Sequence, residues 1–206
     1  MERLSPAVTR GFGVLEEFLA RQRISQANKL IQASGLQGRI LDIGCSEHPL
    51  FLMNTAFSVR YGLDKIAETK TIDCADGRPV MLLSHDLEHD HRLPFEDGYF
   101  DVVTMLAIVE HIEPARLPAI LREIRRVLRP QGVYILTTPA AWTDRLLRRM
   151  ASMRLVSPIE IQEHKAVYTH ARIAPLLQEA GFRSEDLKMG YFEMYMNIWA
   201  TAAMKS

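Results

Sequence analysis

The chain has 206 residues, 48% of them hydrophobic, enough for one globular domain whose core needs no disulfide or metal staple. Lysine plus arginine equals aspartate plus glutamate at 25 each, so the basic excess of a general nucleic-acid binder is missing. Cys45 and Cys74 make neither a disulfide framework nor a zinc pattern, MERLSPAVTRGF carries no apolar leader, and no stretch reaches the roughly 20 apolar residues of a membrane span. The expectation is a soluble cytoplasmic protein with neither a nucleic-acid nor a membrane partner.

The spacing of Val14, Leu15, Phe18, Leu19, Ile24, Ala27, Leu30 and Ile31 predicts one or two amphipathic helices ending at Gly35. RILDIG follows as a short buried strand, and FSVRYGLD as a second that ends at Asp64. Residues 65–78 show no periodicity, and Gly77 and Pro79 mark a turn. PVMLLSHDL is a third strand ending near Asp86, and YFDVVTMLAIV a fourth that runs into a loop. PARLPAILREIRRVL places Leu117, Ile120, Leu121, Ile124 and Leu128 on one helix face, with Pro114 and Pro118 near the start, where proline is tolerated. GVYILTTP is a fifth strand. Residues 142–152 and 170–180 read as helices, the second stopped by Gly181. The tail SEDLKMGYFEMYMNIWATAAM offers two strands around Gly190, a hairpin.

Alternating strands and helices imply βαβ units: an α/β, doubly wound, mostly parallel sheet of seven strands, with an antiparallel last strand and helices on both faces. In open sheets of this kind a ligand sits beyond the carboxyl ends of the strands, where strand order reverses. Gly44, after the first strand, permits a tight turn and close approach of a ligand to the backbone. The residues after it could open a helix with its N–H groups toward the ligand. Asp42 lies just before the turn and suits a cationic ligand end. Asp64, some twenty residues on, has two oxygens for the two hydroxyls of a ribose, and Asp86 could accept from an exocyclic amine. Each acid alone also reads as an ordinary strand-end residue; three at successive strand ends make a pattern.

ILDIGCSEH, YGLDKI, SHDLEHDHRLPFEDGYFDVVTMLAIVEHIEP and EIRRVLRPQGVYILTTP, in this order and at these separations, resemble the class I S-adenosylmethionine-dependent methyltransferases, and among them the type 11, UbiG-like group. The likeness runs from about Arg39 to Pro139, with a weaker echo to Phe182. It implies a Rossmann-like fold and S-adenosyl-L-methionine as cofactor. It implies one domain: a helical cap over 1–36, a cofactor-binding core over 39–139, and acceptor-side helices with a hairpin over 140–206. Carried over by motif, Asp42, Gly44 and Ser46 line the methionine end of the cofactor and Asp64 holds the ribose. Asp86 and the Leu87 backbone read adenine, and Met105, Leu106 and Ala107 wall the methyl group. Ser46 and His48 stand where the family has its second and third glycines, and Gln131 where it has one of a pair.

Methyl transfer needs a nucleophile in line with the methyl group and, for a hydroxyl acceptor, a base near neutral pH. His111, directly after the fourth strand, is the first candidate, and His164, with Tyr168 nearby, the second. Both histidines also read as structural. The expected acceptor is a small molecule, oxygen first and nitrogen or carbon otherwise. Arg145, Arg148, Arg149 and Arg154 suggest an anionic acceptor in one reading and a solvated helix face in the other. Glu110, His111 and Glu113, like HDLEHDH at 85–91, read as charged loops, so no metal is expected. The competing readings are a non-catalytic protein of the same fold that binds a partner or senses the cofactor, and a nicotinamide-dependent oxidoreductase. The latter needs G-x-G-x-x-G, and only Gly44 of the three glycines is present.

Overall fold

Alternate residues of the central strands enter different apolar clusters. In β1 (Arg39–Ile43), Leu41 and Ile43 join one cluster and Ile40 the other. β5 (Phe100–Leu106) divides Val103 and Met105 from Val102, and β6 (Leu128–Pro139) divides Tyr134 and Leu136 from Val133 and Ile135. A period of two with apolar residues on both sides is what a sheet covered on both faces requires. The computed structural model describes residues 16–90, 92–143 and 165–205.

The sheet has eight strands, the others being β2 (Val59–Asp64), β3 (Lys70–Ile72), β4 (Val80–Ser84), β7 (Leu187–Phe192) and β8 (Asn197–Ala203). Their order is β3-β4-β2-β1-β5-β6-β8-β7. β4, β2, β1, β5 and β6 run parallel, while β3 pairs antiparallel with β4, and β8 with both β6 and β7. The seven expected strands become eight through β3. Its three residues, none of them buried, are too few to carry a pattern. β1 sits at the point of reversal: the chain leaves it toward β2 and β4, then returns to its other side as β5.

α3 (Leu117–Val127) and α4 (His170–Glu179) cover one face. α3 buries Leu117, Ile120, Leu121, Ile124 and Val127, and α4 buries Ile173 and Leu177. α1 (Glu16–Ser34) and α2 (Leu50–Met53) cover the other through Ala27, Ile31, Phe51 and Leu52. α1 ends where expected, before Gly35 in the left-handed region at φ 67°. Two local expectations fail. The helix predicted to open at the Gly44 turn begins only at Leu50 and lasts four residues, because Pro49 breaks the intervening chain. Gly190 is not the hairpin turn but lies inside β7; a Cβ there would come within 2.7 Å of the Trp199 indole nitrogen packed against it. The turn is made instead by Glu193, Met194 and Tyr195, all at positive φ. Ala141–Thr143 is one 3-10 turn, and the rest of the helix read at 142–152 lies outside the described residues.

Candidate functional site

The carboxyl ends of β2, β1 and β5 meet at the Gly44 turn. Gly44 has φ 81°, and its N–H donates to the Leu63 carbonyl at 2.7 Å. A Cβ on it would fall 2.1 Å from Ile108 Cδ1. Backbone conformation thus favours glycine, and any Cβ would also have to displace the Ile108 side chain. His48 is exposed, so the residue packed against the bend is Ile108 rather than the imidazole. Ser46, where the resembling family has glycine, keeps a glycine-like φ of 61°, and so does Gln131 at 66°. For a residue with a Cβ that conformation costs roughly 1–2 kcal/mol, so it persists only where neighbours impose it.

At Ser46 the imposing neighbour is Asp64. Its Oδ2 accepts the Ser46 N–H at 2.7 Å and its Oδ1 the Lys65 N–H at 2.7 Å. Asp64 is buried and fastens the end of β1 to the end of β2. Asp42 is buried too, and its Oδ1 accepts the Thr104 hydroxyl of β5 at 2.6 Å. Burial pushes the Asp42 carboxyl up, the Thr104 hydroxyl pulls it down, and the charge of Asp64 pushes it up again, to about 7.

Farther out the environment is ionic. Asp86 accepts the Lys65 ammonium at 2.7 Å, the Glu88 N–H at 2.9 Å and His89 Nδ1 at 2.9 Å. Lys65 above all, with the Glu88 N–H, holds its carboxyl well below the usual range. Leu87 is half-buried against the α3 face of the core. Glu88 pairs with Lys165, which lowers its carboxyl, and its carbonyl accepts Arg116. Among the described residues no three histidine, cysteine or acidic side chains come together as a metal would need.

Beyond β5, Met105 is fully buried and its sulfur accepts the Tyr134 hydroxyl at 3.1 Å, so it packs beneath the opening. Leu106, Ala107 and Ile108 are the partly exposed residues of this stretch. Ala107 has φ 59°, held by its N–H on the Thr137 carbonyl at 2.9 Å. Glu110 is buried, accepts the Thr138 hydroxyl at 3.0 Å, and through its carbonyl accepts the Lys165 N–H at 2.8 Å. His111 closes a 3-10 turn, Val109–His111, and is partly exposed. Tyr168 is buried, its ring hydroxyl makes no hydrogen bond among the described residues, and burial raises its pKa. His164 and the arginines at 145, 148, 149 and 154 lie outside the described residues. On the outer face of α3, Arg122 and Arg126 pair with Glu179 and Glu123, and Arg129 just beyond pairs with Asp101.

The three acids therefore lie at neighbouring strand ends, Asp42 and Asp64 close enough to feel each other's charge and Asp86 tied to them through Lys65. Sequence reasoning missed Thr104, Ile108 and Lys65, and it read Glu110 as part of a charged loop where the structure buries it. Thr104 carried a usable signal: it is the polar residue in the apolar run VVTML, and the parallel register sets it beside Asp42.

An open, mostly parallel sheet with helices on both faces and a carboxylate-lined bend at its reversal point defines a Rossmann-like α/β protein, and in such sheets the reversal point is where ligands sit. Comparison with known proteins makes this specific. Residues 15–187 match the family described as "Methyltransferase domain", and the chain belongs to that family. Enzymes of this S-adenosylmethionine-dependent class use S-adenosyl-L-methionine as cofactor. A Mycolicibacterium smegmatis protein described as "Probable S-adenosylmethionine-dependent methyltransferase" is 27% identical over 158 residues, which are 71% of this chain and 52% of that protein. The chain thus spans about half the length of that relative, and 36% of an uncharacterized Methanocaldococcus jannaschii protein to which it is 31% identical over 102 residues. Among solved structures, a SAM-dependent methyltransferase from Archaeoglobus fulgidus superposes with a TM-score of 0.64 at 16% identity, covering 91% of this chain and 99% of that one. A structure described as "Complex between the Haloferax volcanii Trm112 methyltransferase activator and the putative methyltransferase" gives a TM-score of 0.66 at 13% identity, covering 93% of both chains. At these identities the likeness is one of fold. Among the described residues no helix is long and apolar enough to cross a membrane.

Proposed function

We propose that this protein transfers a methyl group from S-adenosyl-L-methionine to a small-molecule acceptor, on oxygen in the first instance. The observation that carries the reading is the bend between β1 and β2. A left-handed glycine covered by Ile108 is flanked by two buried carboxylates, Asp42 and Asp64, at the reversal point of a methyltransferase-family sheet. This donor set fits the cofactor. Asp64 accepts the Ser46 and Lys65 N–H groups, and in this reading its carboxylate also receives the ribose hydroxyls. Asp42 offers negative charge to a cationic ligand end. Asp86 can receive the adenine amine only by sharing with Lys65, which leaves the Leu87 main chain as the better reader of that ring.

When bound, the cofactor supplies the methyl group on its sulfonium and its own leaving group. The chain has to hold, orient and keep water out. In this reading Gly44 and Ser46 face the methionine end, and Leu106 and Ala107 wall the methyl, with Met105 packed beneath them. His111 takes the proton of the acceptor hydroxyl, and Tyr168 with His164 belongs to the acceptor side. What supports His111 is its place at the end of the β5 loop, three residues beyond the Ile108 that covers the bend.

Titration calorimetry with S-adenosylmethionine and S-adenosylhomocysteine tests the reading: micromolar binding is expected, and heat from neither ligand overturns it. The His111→Ala variant is expected to lose turnover by about 10²-fold or more while cofactor affinity changes little. Equal turnover would remove His111 from the chemistry.

A further inference from the structure

Among the described residues, Asp42 takes its short hydrogen bond from a neutral hydroxyl in the sheet interior. Thr104 is fully buried, and the register of β1 and β5 sets it directly across from Asp42. Its hydroxyl has a single proton to donate. It lies 2.6 Å from Asp42 Oδ1 and 3.4 Å from the Leu41 carbonyl, so the carboxylate takes that proton. We propose that Thr104 is a positioning residue for the cofactor, its hydroxyl holding Asp42 as an oriented carboxylate at the mouth of the β1–β5 crevice. This rests on the reading of that crevice as the cofactor site.

A hydroxyl donor stabilises the ionised acid and only weakly the protonated one. Burial and the like charge of Asp64 act the other way, and the balance leaves Asp42 titrating near pH 7. Among the described residues, Asp64 of β2 is the charged group acting on Asp42, and β5 contributes Thr104. The hydroxyl therefore opposes burial and favours the charged form of Asp42, and with it the holding of a cationic ligand end. Thr104→Val keeps the shape and removes the donor.

The test is calorimetric affinity for S-adenosylmethionine from pH 5.5 to 9 in the wild type, Thr104→Val and Thr104→Ser, with thermal unfolding to check each fold. Wild-type affinity is expected to rise about tenfold between pH 6 and pH 8, following ionisation of one group near 7. In Thr104→Val the profile moves to higher pH by about one unit, and the two proteins converge near pH 9. Thr104→Ser, which retains the hydroxyl, restores the wild-type profile. Weakening by the same factor at every pH, or coincident profiles, overturns the role of Thr104 while leaving the cofactor site standing. No binding by the wild type at any pH overturns the cofactor site and this proposal together.

Discussion

Two acids at neighbouring strand ends are held in opposite ways. Asp42, at the end of β1, is buried, and among the described residues its side-chain donor is the neutral Thr104 hydroxyl. Asp86, at the β4 rim, is partly exposed and ringed by Lys65, His89 and a main-chain N–H. Desolvation wins in the crevice and raises the carboxyl; charge wins at the rim and lowers it. The difference teaches where each region can contribute. A dry carboxylate that costs stability to ionise suits a cationic ligand, which offsets that cost on arrival. The rim acid is already matched, and it fastens the loop.

The largest expected effect separates the two by pH. The folded Asp42 value of about 7 lies above the ordinary 3.8, so the folded protein binds this proton more tightly than the unfolded chain. The resulting stability is complete below pH 3.8 and is lost as pH rises through 7. At roughly 1.4 kcal/mol per unit, Asp42→Asn should match the wild type near pH 4 and exceed it at pH 8 by an amount on the order of 2–4 kcal/mol. Urea unfolding at the two pH values reads this directly. Asp86 has the reverse sign: its lowered value contributes stability above the unfolded pKa, lost only as pH falls through the folded one.

Next comes the bend. Gly44→Ala combines a left-handed backbone with a collision against Ile108, and is expected to cost about 2–4 kcal/mol in urea unfolding. A cost below about 1 kcal/mol would mean that the crevice is looser than its contacts imply. Asp64→Ala, between crevice and rim, should weaken S-adenosylmethionine binding by about 1–3 kcal/mol by calorimetry in the folded variant. Unchanged affinity would remove Asp64 from the ligand. The smallest effect belongs to the rim: Lys65→Met should lower stability only slightly in urea unfolding at low salt, and the difference should fade as salt rises, because the lysine is exposed and screened.

The sequence made the crevice legible wherever chemistry and spacing coincide. Asp42, Gly44 and Asp64 follow from strand ends and a turn, and the structure sets them together. Periodicity could not find β3, whose three residues have no buried face, nor predict that Pro49 would stop a helix from opening at the bend. Thr104, Ile108 and Lys65 stayed hidden for another reason. Each matters through a partner that only strand pairing or loop packing brings near, and a side chain's own identity says nothing of what will face it. The left-handed Ser46 and Gln131 sit at sites where the resemblance marks lost glycines, so the backbone kept a shape its side chains do not favour.

Ile108 resting on Gly44 makes these positions unequal partners in any future variation. Trimming 108 to alanine clears the collision but leaves the turn at φ 81°, so no side chain becomes welcome at 44. Position 108 can drift through smaller apolar residues, each widening the gap above the bend, while 44 stays fixed. The space above the bend is therefore set by position 108, in the loop leading to His111.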